Sequence, residues 1–352
     1  MSAISVLTPP ARHAIALRRL TLVAVASVVL AVIGLIAWRM GPWTSPRFVE
    51  YRMLAGGDIP AAVALGADGA VWFSIENADA LGVLRAGSIQ RVPKGGESLE
   101  PLGMAVANDG SVWFTDPVAE AIGHLNADGS LESFPLPTRL TQFGRLAVAA
   151  DGSVWAADSW SNSLVRLQAG TFTPYIASSA GAGPFGVVAD PAGGVWATLQ
   201  SANKLVHVES NGRVTELEAP TRSSGPSDIA IDRSGGIWFV ELRADKIGRY
   251  FDGGFTEFPL PRTQAGITDL AIAPDGSVWF TELRARKLGH LRDGAVDEVP
   301  LPRSDARPFG VRVDASGNVW YTDLTGWLGM LPAADAGRSS LDLRRLLPWP
   351  RA

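Results

Sequence analysis

Residues able to do chemistry recur in this sequence at fixed offsets from a repeated tryptophan. Three residues after Trp72, Trp113, Trp155, Trp196, Trp238, Trp279 and Trp320 stand Ile75, Asp116, Asp158, Leu199, Glu241, Glu282 and Asp323. Five of these are carboxylates, and the two exceptions are followed at once by Glu76 and Gln200. Ten residues before each tryptophan stand Ala62, Gly103, Arg145, Gly186, Asp228, Asp269 and Gly310, so Asp228 and Asp269 share one register in consecutive repeats. Carboxylates brought together in this way could hold a hard divalent cation through oxygen ligands. They could also supply a general base whose pKa is raised by like-charged neighbours. Left apart, acids at strand ends accept backbone amides of the loops that follow. His124, His207 and His290 each lie eleven residues after a repeat tryptophan, in non-adjacent repeats, where Arg166 and Arg249 occupy the same register. Residues dispersed in that way cannot chelate one metal, and a structural role is expected for them. The absence of cysteine excludes a thiolate metal site, a disulfide framework and a cysteine nucleophile. No Ser-His-Asp spacing, P-loop or dinucleotide glycine fingerprint is present.

The repeat also defines the elements that must position these residues. The tryptophans recur every 41 or 42 residues, each with a Val or Ile just before it and a Gly three residues earlier. A period of about 40–45 residues without helical patterning is the signature of propeller blades, each a four-stranded sheet. In one repeat, Asp269 to Ala273 reads as an innermost strand and Val278 to Glu282 as the second. Lys287 to Leu291 reads as the third and Val296 to Val299 as the fourth. The turn residues Asp275-Gly276 and Asp293-Gly294 supply the positive φ that tight hairpins need. The segment from Arg47 to Arg52 resembles an outermost strand, and the last repeat lacks one after Leu331. The first strand is therefore expected to complete the seventh blade and close the ring, which removes exposed sheet edges.

The expected fold is thus all-β, a seven-bladed propeller with four-stranded blades, preceded by one transmembrane helix. The Asp-Gly turns fall on one face of the disc. The starts of the first strands and the ends of the second fall on the other, with loop arginines Arg139, Arg222, Arg243, Arg262, Arg284, Arg303 and Arg307. That loop-rich face is expected to carry an acidic ring around a central mouth.

Composition narrows the function classes. The 352 residues carry a formal net charge of −4, which speaks against an electrostatic nucleic-acid binder. Leu20 to Trp38 is free of charged residues. At a rise of 1.5 Å per residue that stretch spans ~28 Å, close to the ~30 Å of a hydrocarbon core. Arg12, Arg18 and Arg19 precede it and Arg39 and Arg47 follow it, which places the N-terminus in the cytoplasm and the propeller in the periplasm or at the cell surface. A cleaved signal is the alternative, although the residues after Trp38 offer no small-residue cleavage site. The expected organisation is a cytoplasmic tail over 1–19, an anchor over 20–38, a linker over 39–46, the propeller over 47–337 and a tail over 338–352. A monomer is expected.

The run Asp275, Gly276, Ser277, Val278, Trp279, Phe280, Thr281, Glu282 with Lys287, Leu288 and Gly289 resembles the blades of the virginiamycin B lyase (streptogramin lyase) family. So does Phe255, Thr256, Glu257, Phe258, Pro259, Leu260, Pro261. The resemblance runs over about residues 47–331. It implies a seven-bladed propeller that opens the ester-closed ring of type B streptogramins by elimination, with Mg²⁺. It also implies catalytic histidines at the starts of the innermost strands of the last two blades. Phe309 and Thr268 stand at those positions here, and Arg307 stands where the family has a glutamate. Neither phenylalanine nor threonine can take an α-proton at neutral pH. Asp269, one residue on, could do so if its pKa were raised. Glu282 and Asp323 stand near the family's metal-site carboxylates.

Three readings follow. In the first, a small molecule or envelope ligand is bound at the loop face by Phe185, Asp228, Asp269, Arg307 and Phe309. In the second, a Mg²⁺-dependent lyase or lactonase-like site is built on Asp269 and Glu282, with Glu241, Glu282 and Asp323 on the metal. In the third, the disc is a protein-interaction scaffold.

Overall fold

The computed structural model describes residues 47–96, 101–137 and 141–336. The anchor expected over 20–38, Arg139 and the tail over 338–352 lie outside these. Among the described residues no helix is long and apolar enough to cross a membrane.

Seven four-stranded antiparallel sheets account for every described strand. Blade 6 has the strands Ile267–Ile272, Val278–Glu282, Lys287–Arg292 and Ala295–Pro300; the first begins two residues before and ends one residue before its expected bounds, and the last two are a residue or two longer than expected. The ring closes as expected. Val49–Arg52 pairs with Trp327–Leu331, so the first strand of the chain is the outermost strand of blade 7. The turn before each repeat tryptophan is built by its aspartate. Asp275 Oδ1 accepts the Ser277 N–H (3.0 Å) and hydroxyl (2.6 Å), and Gly276 sits at φ +85°, where a side chain would be strained.

A blade's sheet stands on edge, so its two faces meet its two neighbours and must both be apolar. Trp279 packs with Val311, Val319 and Tyr321 of blade 7. Phe280, on the opposite face, packs with Trp238, Val240 and Ile247 of blade 5. The residue opposite Phe280 is Gly289, where a Cβ would lie 2.0 Å from the ring. The same ring-over-glycine pairing joins Phe73 to Gly82, Phe114 to Gly123, Phe239 to Gly248 and Tyr321 to Gly329. Blades 3 and 4 invert it, with Ala156 opposite Val165 and Ala197 opposite Val206. The pair fills a similar volume either way, as close packing requires.

The histidines complete these layers. His124, His207 and His290 stack on Trp113, Trp196 and Trp279 with centroids 3.7, 4.3 and 4.0 Å apart. In blades 3 and 5, Arg166 and Arg249 lie over Trp155 and Trp238 at 5.5 and 5.1 Å. One register therefore serves to cap the tryptophan face.

Hydroxyls two residues after the tryptophans stitch the innermost strands together. Thr322 Oγ1 accepts the Gly310 N–H (2.8 Å) and donates to Ala61 O (2.6 Å), which joins blade 7 to blade 1. Ser74, Thr198 and Thr281 make the corresponding bonds to Pro101, Ser227 and Phe309. Most innermost strands slip register beside this hydroxyl, as between Ile267 and Leu270. The slip turns successive side chains toward the axis.

Candidate functional site

A cavity of about 690 Å³ opens at the loop-rich face. Two rings of residues build it. One ring stands eleven residues before the tryptophans and includes Ala61, Leu102, Phe185, Ser227, Thr268 and Phe309. The other stands four residues after them and includes Glu76, Ser159, Gln200, Leu242 and Leu324. Phe143 adds a third phenylalanine, and Glu76 is the one ionisable side chain among the described lining residues. Blade 3 and blade 4 loops shape one wall. Asn162 Oδ1 accepts the Ala182 N–H (2.6 Å) and its Nδ2 donates to Ser179 O (2.9 Å). Ser159 Oγ donates to Gln142 Oε1 (3.0 Å). Thr268 is not free to act, since its hydroxyl is held by Phe309 O (2.7 Å) and Thr281 Oγ1 (2.8 Å).

The floor is charged but enclosed. Arg145 reaches across the axis from blade 3. Its Nη1 donates to Leu102 O (3.1 Å) and its Nη2 to Thr268 O (3.3 Å), and it lies 3.7 Å from Asp228 and 3.5 Å from Asp269. The rings of Phe185 and Phe309 flank the guanidinium at 6.0 and 5.7 Å. Asp269 accepts the Val311 N–H (3.0 Å) and both its oxygens meet Arg312 Nη1 at 3.0 Å. Burial opposes ionisation of Asp269, but Arg312 and Arg145 outweigh it and hold the carboxyl below the usual range. Burial, reinforced by the charge of Asp269, pushes Asp228 well above that range. The fold thus favours ionisation of Asp269 and the neutral form of Asp228.

The residues singled out from the sequence divide accordingly. Phe185 and Phe309 line the cavity. Asp228 and Asp269 follow the lining residues Ser227 and Thr268 on two other innermost strands, in the layer beneath it. The side chain of Arg307 is exposed and not part of the lining, and its backbone N–H donates to Asp323 Oδ1 (3.1 Å). The acids three residues after the tryptophans form no ring around the mouth. Asp116 binds Lys94 Nζ (2.7 Å) and the Ala119 N–H (3.1 Å). Asp158 accepts the N–H groups of Gln142 (3.0 Å) and Trp160 (3.1 Å). Asp323 accepts that of Thr325 (2.9 Å) and pairs with Arg303. These three do the loop-holding work that strand-end acids commonly do. Neither oxygen of the fully buried Glu282 has a hydrogen-bond partner among the described residues. Burial first, then the charge of Glu298, pushes its pKa up to about 7. Burial and Glu257 do the same to Glu241, also to about 7.

Glu241, Glu282 and Asp323 therefore serve three separate blades, and among the described residues no three His, Asp or Glu side chains come together to hold a metal. The donor set that the family resemblance implied for Mg²⁺ does not fit the residues present. Apart from Phe185 and Phe309, the lining lies one residue away from the acids that the sequence singled out, at offsets of minus eleven and plus four. Adjacent strand residues face opposite sides. The two acid-free repeats pointed to the correct register, since Glu76 and Gln200 both reach the cavity.

A sequence model of the virginiamycin B lyase family matches residues 39–168. No curated protein matches the chain in sequence. Among solved structures, a streptogramin B lyase superposes with a TM-score of 0.79 at 24% identity, over 82% of this chain and 98% of that one. A catalytically inactive histidine-to-alanine variant of virginiamycin B lyase from Staphylococcus aureus, solved with quinupristin, gives 0.77 at 24% identity, over 81% and 98%. The extracellular domain of a hybrid two component system from B. thetaiotaomicron gives 0.65 at 14% identity, over 81% of this chain and 40% of that one. At these identities each of the three likenesses is one of fold alone. The chain is thus a seven-bladed β-propeller that shares its fold with the streptogramin B lyases, and the virginiamycin B lyase family model matches its residues 39–168.

Proposed function

We propose that the protein binds an uncharged, largely apolar small molecule or envelope ligand in the loop-face cavity and releases it unchanged. The cavity carries this reading. Its size suits a drug-sized ligand, three phenylalanines supply apolar area, and backbone and side-chain amides and hydroxyls fix orientation. Elimination needs a base beside the acidic C–H. At the two positions where the lyase family places histidine, this chain offers the Phe309 ring and a threonine hydroxyl already engaged. Arg145 is committed to the floor and its charge is matched there. We further propose that residues 20–38 anchor the propeller in a membrane with the disc outside the cytoplasm. Protease accessibility of the propeller in intact cells and in spheroplasts tests that arrangement.

Quinupristin, the compound solved with the staphylococcal lyase, is a direct probe of the cavity. Calorimetric titration of the full chain, with and without Mg²⁺, should show saturable binding, weakened about tenfold by Phe309→Ala, or about 1.4 kcal/mol. Chromatography should recover only intact quinupristin. Elimination leaves a ring-opened isomer of equal mass, so separation rather than mass alone is the readout. A ring-opened product formed by the purified chain would establish the lyase reading instead.

A further inference from the structure

The axial channel continues below the Arg145 layer as a second cavity of about 480 Å³, open toward the Asp-Gly turns. Its wall is unusual for its uniformity. The positions eight residues before the repeat tryptophans are five alanines, Val188 and Arg312. The positions seven before are all aliphatic. Every one of these fourteen residues lines the cavity, and Arg312 is the only one with a charge or a hydrogen-bonding side chain. Arg312 stands at the closed end with Arg145 and Asp228. All its hydrogen bonds among the described residues run through Nη1, to Asp269 and to Val311 O (2.6 Å). Nε and Nη2 are left for another partner, and the side chain keeps 32% of its exposure.

The closed end holds the charged groups. Arg145 and Arg312 face Asp228 and Asp269, and Asp269 takes both arginines while Asp228 lies 3.7 Å from Arg145 alone. Arg312 thus presents unused donors of a partly exposed guanidinium to an otherwise apolar tube. We infer that this channel is a second binding site, which takes a single-chain amphiphile with a carboxylate head, head first against Arg312 and tail along the aliphatic rings. The innermost strands line it over about four residues, or about 13 Å at 3.3 Å per residue, so the tail is of medium length. A carboxylate can take two parallel hydrogen bonds from the fork of a guanidinium, which an alcohol cannot. The site lies on the opposite side of the Arg145 layer from the mouth, and it stands whether or not the mouth binds quinupristin.

Calorimetry with decanoate, on the full chain in phospholipid nanodiscs with empty nanodiscs as blank, tests the assignment. Decanoate should bind once per chain. 1-Decanol and decyltrimethylammonium should bind at least tenfold more weakly. Arg312→Met should weaken decanoate at least tenfold. Ala230→Leu, which narrows the tube and leaves the charged layer intact, should do the same and covers the case in which Arg312→Met fails to fold. Saturating quinupristin should leave decanoate affinity unchanged. Absence of saturable decanoate binding, equal affinity for the alcohol, or unchanged affinity in Ala230→Leu would overturn the inference.

Discussion

Glu282 offers a sharp test of how the blades treat their acids. The carboxyl is fully buried at the end of the second strand of blade 6, beside Lys287 and Glu298, and neither oxygen is hydrogen-bonded among the described residues. Its folded-state pKa of about 7 exceeds the ordinary 4.5, so the folded protein holds a proton that the unfolded chain has lost. The sign is the reverse of a salt-bridged acid. Stability is fully retained below about pH 4.5 and declines as pH rises toward 7, where the buried carboxyl is forced to ionise. At about 1.36 kcal/mol per pH unit, the interval from 4.5 to about 7 amounts to about 3 kcal/mol. Glu282→Gln removes the ionisation and keeps the shape. Its own fixed cost, an amide with imperfect partners, is the same at every pH and cancels when two pH values are compared. Chemical denaturation of wild type and variant at pH 5 and pH 8 should therefore give a stability difference that moves by about 3 kcal/mol in favour of the variant between the two. A difference that stays constant within about 0.5 kcal/mol would refute the claim that Glu282 is protonated in the fold at pH 5.

The axial acids should behave unlike one another. Asp228→Asn is expected to cost much less than Asp269→Asn, because burial already favours the neutral form of Asp228. Asp269→Asn should cost about 3–5 kcal/mol by leaving Arg312 and Arg145 buried without their carboxylate; equal losses in denaturant melts would contradict the assignment. The ring-over-glycine packing is testable by exchange. Gly289→Val should destabilise by at least about 3 kcal/mol through collision with Phe280, and Gly289→Val with Phe280→Ala should recover most of that loss by copying blades 3 and 4. His290 is buried against Trp279, and burial followed by Arg292 lowers its pKa to about 4. It should therefore show a neutral imidazole by NMR down to about pH 5, with stability falling only as pH drops through the unfolded value of 6.5.

Fold and site were legible in the sequence to different depths. The seven tryptophans, their glycines and the Asp-Gly turns each act within a single hairpin. Hairpin geometry depends on residues a few positions apart, so the pattern alone settles blade number, strand order and ring closure through Arg47 to Arg52. The histidine register was legible for a related reason, since residues spread around a disc cannot meet. The phenylalanine pair Phe185 and Phe309 was also placed correctly, because both stand at the start of an innermost strand. What the repeat could not convey was which of two adjacent residues turns inward. The innermost strands slip by a residue beside the inter-blade hydroxyls, and this sets Thr268 in the wall and Asp269 beneath it. Only the closed ring brings Arg145 of blade 3 to the carboxyls of blades 5 and 6. That meeting pushes the pKa values of two similar aspartates in opposite directions, because burial and guanidinium distance are properties of the assembled disc.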